Sequence, residues 1–172
     1  MRKSYLIARM LRCRDEWEAL INHVGLLRVG IQGVSGRWSV KNIVAHIMSH
    51  EQFLADHISA LGRGEPRRPS PTPAALQAFM DEFGYPDFDS PLLSEDSANE
   101  WVFQKYRNAP MNDVVADELH AFDALLAAVR SLPEDRLEAL GLPFRILHVT
   151  CEHYRLHGAD IRKRFKRPQR QI

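Results

Sequence analysis

Apolar residues recur at three- and four-residue steps in four segments of the chain, which is the spacing of amphipathic helices. The first segment carries a stripe of Leu6, Met10, Cys13, Trp17, Leu20 and Val24. The second begins at Ser39, a residue suited to cap a helix N-terminus, and covers 39–61. The third, over 115–133, carries a stripe of Val115, Leu119, Phe122, Leu126 and Val129. The fourth covers 143–167, so the pattern predicts four main helices.

A long connection separates the second and third predicted helices. It opens with "GRGEPRRPSPTP", in which four prolines and two glycines cannot sustain a helix or a strand. Two short helical pieces follow, over 74–83 and 97–107, and no strand-like alternation of useful length occurs anywhere. The sequence therefore predicts an all-α fold: a four-helix bundle with a long, partly helical connection between helices two and three. We expect residues 1–172 to form one domain.

The charge balance limits the class of partner. The chain has 23 basic and 22 acidic residues and a formal net charge of +1, so no global field attracts nucleic acid or anionic membrane. Arg9 and Arg12 interrupt the apolar N-terminal run, and no stretch approaches the roughly 18 apolar residues of a membrane span. We expect a cytoplasmic protein without a nucleic-acid or membrane partner. Cys13 and Cys151 are too few for a disulfide framework and are expected to be reduced and buried.

Two pairs of histidines stand four residues apart. They are His46 with His50 in the second predicted helix and His153 with His157 in the fourth. Eight histidines in 172 residues would give roughly 0.4 such pairs by chance. On both helices the pair lies roughly 90° to one side of the apolar stripe, as expected for residues that line a cavity at the edge of a bundle core.

This arrangement suits a metal ion, although a solvated helix face is the alternative. Side chains at positions i and i+4 of a helix lie on one face within about 5–6 Å, so His153 and His157 can converge on one ion. Catalytic sites of this kind commonly use three protein ligands and leave one position for water or substrate. His46 is our choice for the third ligand, with His50 as its rival. Imidazole does not select among zinc, nickel, iron and copper.

Glu51 falls on the apolar stripe of the second predicted helix, where an unpaired carboxylate would be expensive to bury. It therefore needs a partner. It can pair with an arginine across the bundle, orient a ligating imidazole, or act as a catalytic residue that accepts a proton from bound water. Asp160, three residues after His157, is a further candidate to support a ligand. Trp38 is a candidate wall of the pocket, or else a core or hinge residue.

Two stretches carry a resemblance to a known family. "GRWSVKNIVAHIMSHE" resembles the second helix of the DinB/YfiT-like four-helix bundle proteins, and "EHYRLHGADIRKRF" resembles their last helix. With the helix order and the long second connection, the resemblance covers most of the chain. It implies a divalent metal, which can be zinc, nickel, iron or manganese, held by His46, His153 and His157. His50 departs from the usual pattern.

The resemblance also implies a class of function. Family members with assigned roles are metal-dependent hydrolases, or transferases and isomerases that use a low-molecular-weight thiol. We therefore expect a hydrolase or thiol-dependent transferase that acts on a small electrophilic molecule. The ending "HYRLHGADI" resembles the ClbS/DfsB-like branch even more. That branch includes self-protection proteins that hydrolyse a reactive cyclopropane in a genotoxin, so the alternative is a small-molecule binding or self-protection protein without a metal-dependent activity.

The expected partners are a small-molecule substrate or ligand and a second copy of the chain. A homodimer is the habit of the family. Apolar residues of the long connection are candidates for the dimer interface or for a cover over the pocket: Phe79, Phe83, Phe88, Leu92, Leu93 and Trp101.

Overall fold

The computed structural model describes residues 1–166. Its helices are α1 (Lys3–Val24), α2 (Val40–Gly62), α3 (Pro73–Phe83), α4 (Glu95–Tyr106), α5 (Met111–Ser131), α6 (Glu134–Ala139), α7 (Leu142–Leu147) and α8 (His153–Arg164). Over these residues the backbone forms no β-strand, and an isolated bridge joins Ser35 and Trp38. The prediction of an all-α fold is confirmed. Within the same part of the chain, no helix combines the length and the apolar character needed to cross a membrane.

Local capping fixes where α2 begins. The Ser39 hydroxyl accepts a hydrogen bond from the backbone N–H of Asn42, and the Asn42 side chain accepts one from the backbone N–H of Ser39 at 2.9 Å. These reciprocal bonds satisfy backbone donors that a helix N-terminus leaves free. The predicted cap at Ser39 is confirmed, and it sets the register that places His46 and His50 two and three turns further along.

The fourth predicted helix is interrupted by a π-helical turn, His148–Glu152, between α7 and α8. Within this turn the Thr150 hydroxyl donates to the carbonyl of Ile146 at 2.8 Å, a side-chain bond that competes with the regular ladder. The extra residue of a π turn rotates α8 relative to α7, and such turns are frequent at functional sites. The predicted helix is confirmed over 143–164, the π-helical turn within it was not predicted, and α8 ends at Arg164. The predicted end at Arg167 lies outside the described residues.

The long helices bury their apolar faces against one another. α2 packs along α5, and α1 packs against the π-helical turn and α8. One cluster of buried residues is built around Leu6, Leu54, Leu125 and Ile146, and a second around Trp17, Val44, Ile47, Tyr154 and Ile161. The histidine pairs lie beside the second cluster, because His46 and His153 are the chain neighbours of its members Ile47 and Tyr154.

The two cysteines form a disulfide, so the expectation that they are reduced is wrong. Cys13 on α1 and Cys151 in the π-helical turn have Cα atoms 5.4 Å apart, within the range that a disulfide spans. The residues are 138 positions apart in sequence, and only the packing of α1 against this turn brings them together. Cys151 is buried, as expected, whereas Cys13 is only partly buried.

The buried face of α5 is rotated from the predicted stripe. Leu119 is 46% exposed, whereas Glu118 is only 6% exposed. The reason is electrostatic: Glu118 accepts two hydrogen bonds from the buried guanidinium of Arg14, one of them 2.6 Å long. A paired charge can be buried at a position where an unpaired one would be too costly. The pair therefore links α1 to α5 and turns Leu119 toward solvent.

Candidate metal centre

Four histidines meet where α2 faces α8. His46 and His50 come from α2, and His153 and His157 from α8. The ring centroid of His46 lies 4.8 Å from that of His50, 5.3 Å from that of His153 and 5.1 Å from that of His157. The His153 ring lies 5.0 Å from His50 and 5.9 Å from His157. Both predicted pairs thus converge in one cluster, with His46 and His153 at its centre.

The donor atoms define two overlapping sets of three. Ring nitrogens of His46, His50 and His153 all lie within 4.8 Å of one another, close enough to share an ion. The second set is His46, His153 and His157. The Nδ1 atom of each is buried and has no hydrogen-bond partner. Buried polar atoms without partners are uncommon and point to a missing ligand. The donor chemistry and these unpaired nitrogens both fit a divalent metal ion.

Burial keeps these imidazoles neutral, which is the form that binds metal. Burial, with the neighbouring His153 and His157, lowers the pKa of His46 to about 3, against the opposing effect of Asn99. Burial and His157 lower the pKa of His153 to about 4. The pKa of His50 is also well below its usual value, mainly through burial. At neutral pH the cluster therefore offers lone pairs rather than positive charges.

His157 is the ligand candidate closest to a carboxylate. Burial lowers its pKa, and the charge of Asp160 partly opposes this effect. Asp160 therefore lies near enough to His157 to interact with it, although the structure shows no hydrogen bond to the unpaired Nδ1 atom. Its predicted supporting role stays a prediction.

Two aromatic side chains lie against the cluster: one from the residues just before α2 and one from the long connection that follows it. The Trp38 ring lies 5.1 Å from that of His46 and 6.3 Å from that of His157, so it packs beside two histidines of the cluster. Phe88, from the long connection, stacks on His50 with centroids 3.8 Å apart and planes inclined by 23°. Apolar walls of this kind limit access of water to a bound ion.

The segment that carries Phe88 is anchored on both sides. Asp87 is 2% exposed and accepts hydrogen bonds from the backbone N–H and hydroxyl of Ser70, at 2.8 and 2.7 Å. Asp89 accepts a hydrogen bond from the guanidinium of Arg145 at 2.7 Å. These contacts fix the backbone before and after Phe88 and thereby hold its ring against His50.

Glu51 is fully buried, and its partner is Tyr154, whose hydroxyl donates to its carboxyl group. Arg14 lies nearby and lowers the pKa of Glu51, but its hydrogen bonds to carboxylates go to Glu118 and Glu18. Burial dominates and raises the pKa of Glu51 to about 8. One of its oxygens has no hydrogen-bond partner. The structure thus gives Glu51 a tyrosine rather than an arginine or a histidine, and its role as a proton acceptor stays a prediction.

Other histidines lie outside the centre or at its edge. His148 is exposed, and its ring lies 5.7 Å from that of His153. His57 lies further along α2 beside Phe53, with ring centroids 6.3 Å apart. Sequence reasoning did not find Tyr154 or Phe88 as neighbours of this region. Tyr154 reads as a core residue from its spacing, and nothing local marks Phe88 as the residue that reaches His50.

Comparison with known families places the cluster in context. A family model described as DinB superfamily matches residues 9–161, a span that includes all four histidines. No curated protein matches the chain, and no solved structure does.

Proposed function

The chain belongs to the DinB superfamily, and on that premise we propose that it binds one divalent metal ion through His46, His153 and His157. The observation that carries this proposal is the set of three buried Nδ1 atoms without hydrogen-bond partners. The ring nitrogens that lie within 4.8 Å of one another are those of His46, His50 and His153, so His157 enters the proposal through its unpaired Nδ1 atom and its match to the family pattern. We also infer that α1, α2, α5 and the α7–α8 segment form the four-helix bundle expected from the sequence.

The proposed activity is a metal-dependent hydrolysis or a thiol-dependent transfer on a small electrophilic molecule. A divalent ion at three imidazoles supplies Lewis-acid chemistry, polarising an electrophilic group or activating water near neutral pH. Trp38 and Phe88 would exclude bulk water and position an apolar part of the substrate. If the activity is a group transfer, a low-molecular-weight thiol would be the second reactant. Zinc, nickel, iron and manganese all remain candidate ions, because imidazole does not select among them.

Glu51 remains our candidate for proton transfer, with a restriction set by its environment. A carboxyl group with a pKa of about 8 is mostly protonated at pH 7, so it accepts a proton efficiently only at higher pH. Its hydrogen bond to Tyr154, the residue next to His153, supports a role beside the centre.

The test of the metal proposal is the thermal stability of the tag-free protein with and without added ion. An ion that binds only the folded state at 100 times its dissociation constant stabilises that state by about 2.7 kcal/mol, or about 5–10 °C in Tm for a chain of this size. We expect His46→Ala, His153→Ala and His157→Ala each to abolish the rise. His120→Ala, which removes an exposed histidine of α5, is the matched control and should keep it.

The same experiment separates the two sets of three ligands. Loss of the rise in His50→Ala, with the rise intact in His157→Ala, would move the site to His46, His50 and His153. A parent protein that shows no rise with any of the four ions, and binds none by metal analysis, would refute the metal proposal.

Incubating metal-loaded protein with electrophile and thiol panels then tests catalysis. Stoichiometric binding without turnover would favour a binding or self-protection protein similar to the ClbS/DfsB-like branch.

Assembly and location are further proposals. We propose a homodimer, which light scattering at micromolar concentration tests. Leu92, at 48% exposure, is available for an interface, whereas Phe79, Phe83 and Phe88 pack among aromatic side chains of their own chain. We propose a cytoplasmic location on composition. A persistent disulfide is more common in oxidising compartments, so thiol labelling of Cys13 and Cys151 in intact cells is the direct test.

A further inference from the structure

The positions of the four imidazoles carry an inference that rests on the proposed metal site and goes beyond it. We propose that His50 is a fourth, exchangeable ligand: it completes the coordination of the ion when no substrate is present and is displaced by an incoming donor atom. The proposal commits to His46, His153 and His157 as permanent ligands. It makes access to the ion depend on the segment that carries Phe88.

The ring spacing is the first argument. An imidazole nitrogen binds zinc at about 2.0–2.1 Å, which puts the ring centroid about 3.2 Å from the ion and neighbouring centroids about 5.2 Å apart in a tetrahedral site. Five of the six ring pairs have centroid distances of 4.8, 5.0, 5.1, 5.3 and 5.9 Å, and the sixth, His50 with His157, is not a close pair. His50 contributes the two shortest, to His46 and His153. Its ring is therefore spaced from His46 and His153 as a ligand that shares their ion would be.

Donor geometry and hydrogen bonding distinguish His50 from the other three. Its ring nitrogen lies within 4.8 Å of donor atoms of His46 and His153, so it can share their ion. It is not among the histidines whose Nδ1 atom is buried without a partner, which are His46, His153 and His157. His50 is thus set apart in two ways: its ring nitrogen lies close to the donor atoms of His46 and His153, and its Nδ1 atom is not among the buried atoms that lack a partner.

Because Phe88 stacks on His50, the two side chains must move together when His50 leaves the ion. The two rings are stacked at 3.8 Å, so a movement of the His50 ring away from the ion requires Phe88 to move as well. The backbone at Phe88 is held by the bonds of Asp87 and Asp89 to Ser70 and Arg145. A substrate that displaces His50 must therefore also shift this part of the long connection. The stack favours the closed state and sets the cost of opening.

A cobalt-loaded protein with azide as the incoming ligand tests this inference. Tetrahedral coordination gives cobalt(II) a characteristic visible spectrum, and azide binding changes it. In the parent we expect a four-coordinate spectrum and weak azide binding. In His50→Ala the open position should lower the apparent dissociation constant of azide about tenfold or more, because an occluded state no longer competes. Phe88→Ala should shift it in the same direction by a smaller factor.

His57→Ala removes a half-buried histidine from the same helix and should leave both spectrum and azide binding unchanged. His50→Gln, which keeps the side chain's length, repeats the test if the alanine variant folds poorly. The inference is overturned if both His50 variants bind cobalt and azide as the parent does. It is also overturned if they lose cobalt altogether, since His50 would then be an obligatory ligand. A parent that binds no cobalt refutes the proposed metal site itself, and His50 with it.

Discussion

Reducing the Cys13–Cys151 disulfide should destabilise the protein by several kcal/mol. The bond closes a loop of 138 residues, and the loss of chain entropy in the unfolded state for a loop of that length corresponds to about 5 kcal/mol at 25 °C. Measured values for disulfides are commonly about 2–4 kcal/mol. A change of about 2–5 kcal/mol in a chain of this size lowers Tm by about 4–20 °C.

The assay is a thermal melt of metal-free protein with and without a phosphine reductant, with free thiols counted in parallel. Cys13→Ala provides the matched control: it should melt near the reduced parent and should not respond to reductant. If two thiols become reactive on reduction while Tm changes by less than about 1 °C, the chain-entropy reasoning is wrong for this protein. If both thiols react before any reductant is added, the bond itself does not form in solution.

The buried ionisable groups give three more predictions, each read from chemical denaturation. Glu118→Ala leaves Arg14 buried without its carboxylate and should lower the free energy of unfolding by about 3–5 kcal/mol. Glu18→Ala removes a carboxylate that is 46% exposed and should lower it by at most about 1 kcal/mol. Equal losses would contradict the assigned pairing. The pKa of Glu51 is raised from its usual 4.5 to about 8, so its contribution to stability is complete below pH 4.5 and lost as pH rises through 8. Glu51→Gln should therefore gain stability relative to the parent at pH 8.5 but not at pH 5. The pKa of His46 is lowered from 6.5 to about 3, so its contribution is complete above pH 6.5 and lost as pH falls toward 3. Metal-free His46→Leu should lose less stability than the parent between pH 7 and pH 4, and a parallel decline would argue against a buried neutral imidazole.

Local patterns in the sequence predicted the features that depend on neighbouring residues. The Ser39 cap needs only Asn42 three residues later, and the pairing of His153 with His157 needs only a helical turn. The approach of His46 to His153 was also predicted, because both lie beside an apolar stripe and two such helices can pack with those flanks together.

Features that depend on distant residues were missed or predicted wrongly. The Cys13–Cys151 bond requires α1 to pack on the π-helical turn, and nothing in the residues around either cysteine reports that contact. The buried face of α5 was misplaced because hydrophobic periodicity treats Glu118 as a surface residue, and it cannot include a guanidinium that arrives from α1. Phe88 lies in an irregular segment, where no periodicity indicates the direction of a side chain.

The π-helical turn and the disulfide act on the same part of the centre. Cys151 lies two residues before His153, so the bond to α1 fixes the backbone from which a central ligand projects. On the other side, the Ser39 cap and the packing of α2 on α5 fix His46. His46 and His153 belong to both sets of three candidate ligands, and both are positioned by contacts outside the centre. His50 differs from this pair, since its ring is held by Phe88 of the long connection rather than by the helix packing alone. We therefore expect ligand exchange at His50, beside a pair whose spacing is set by the fold.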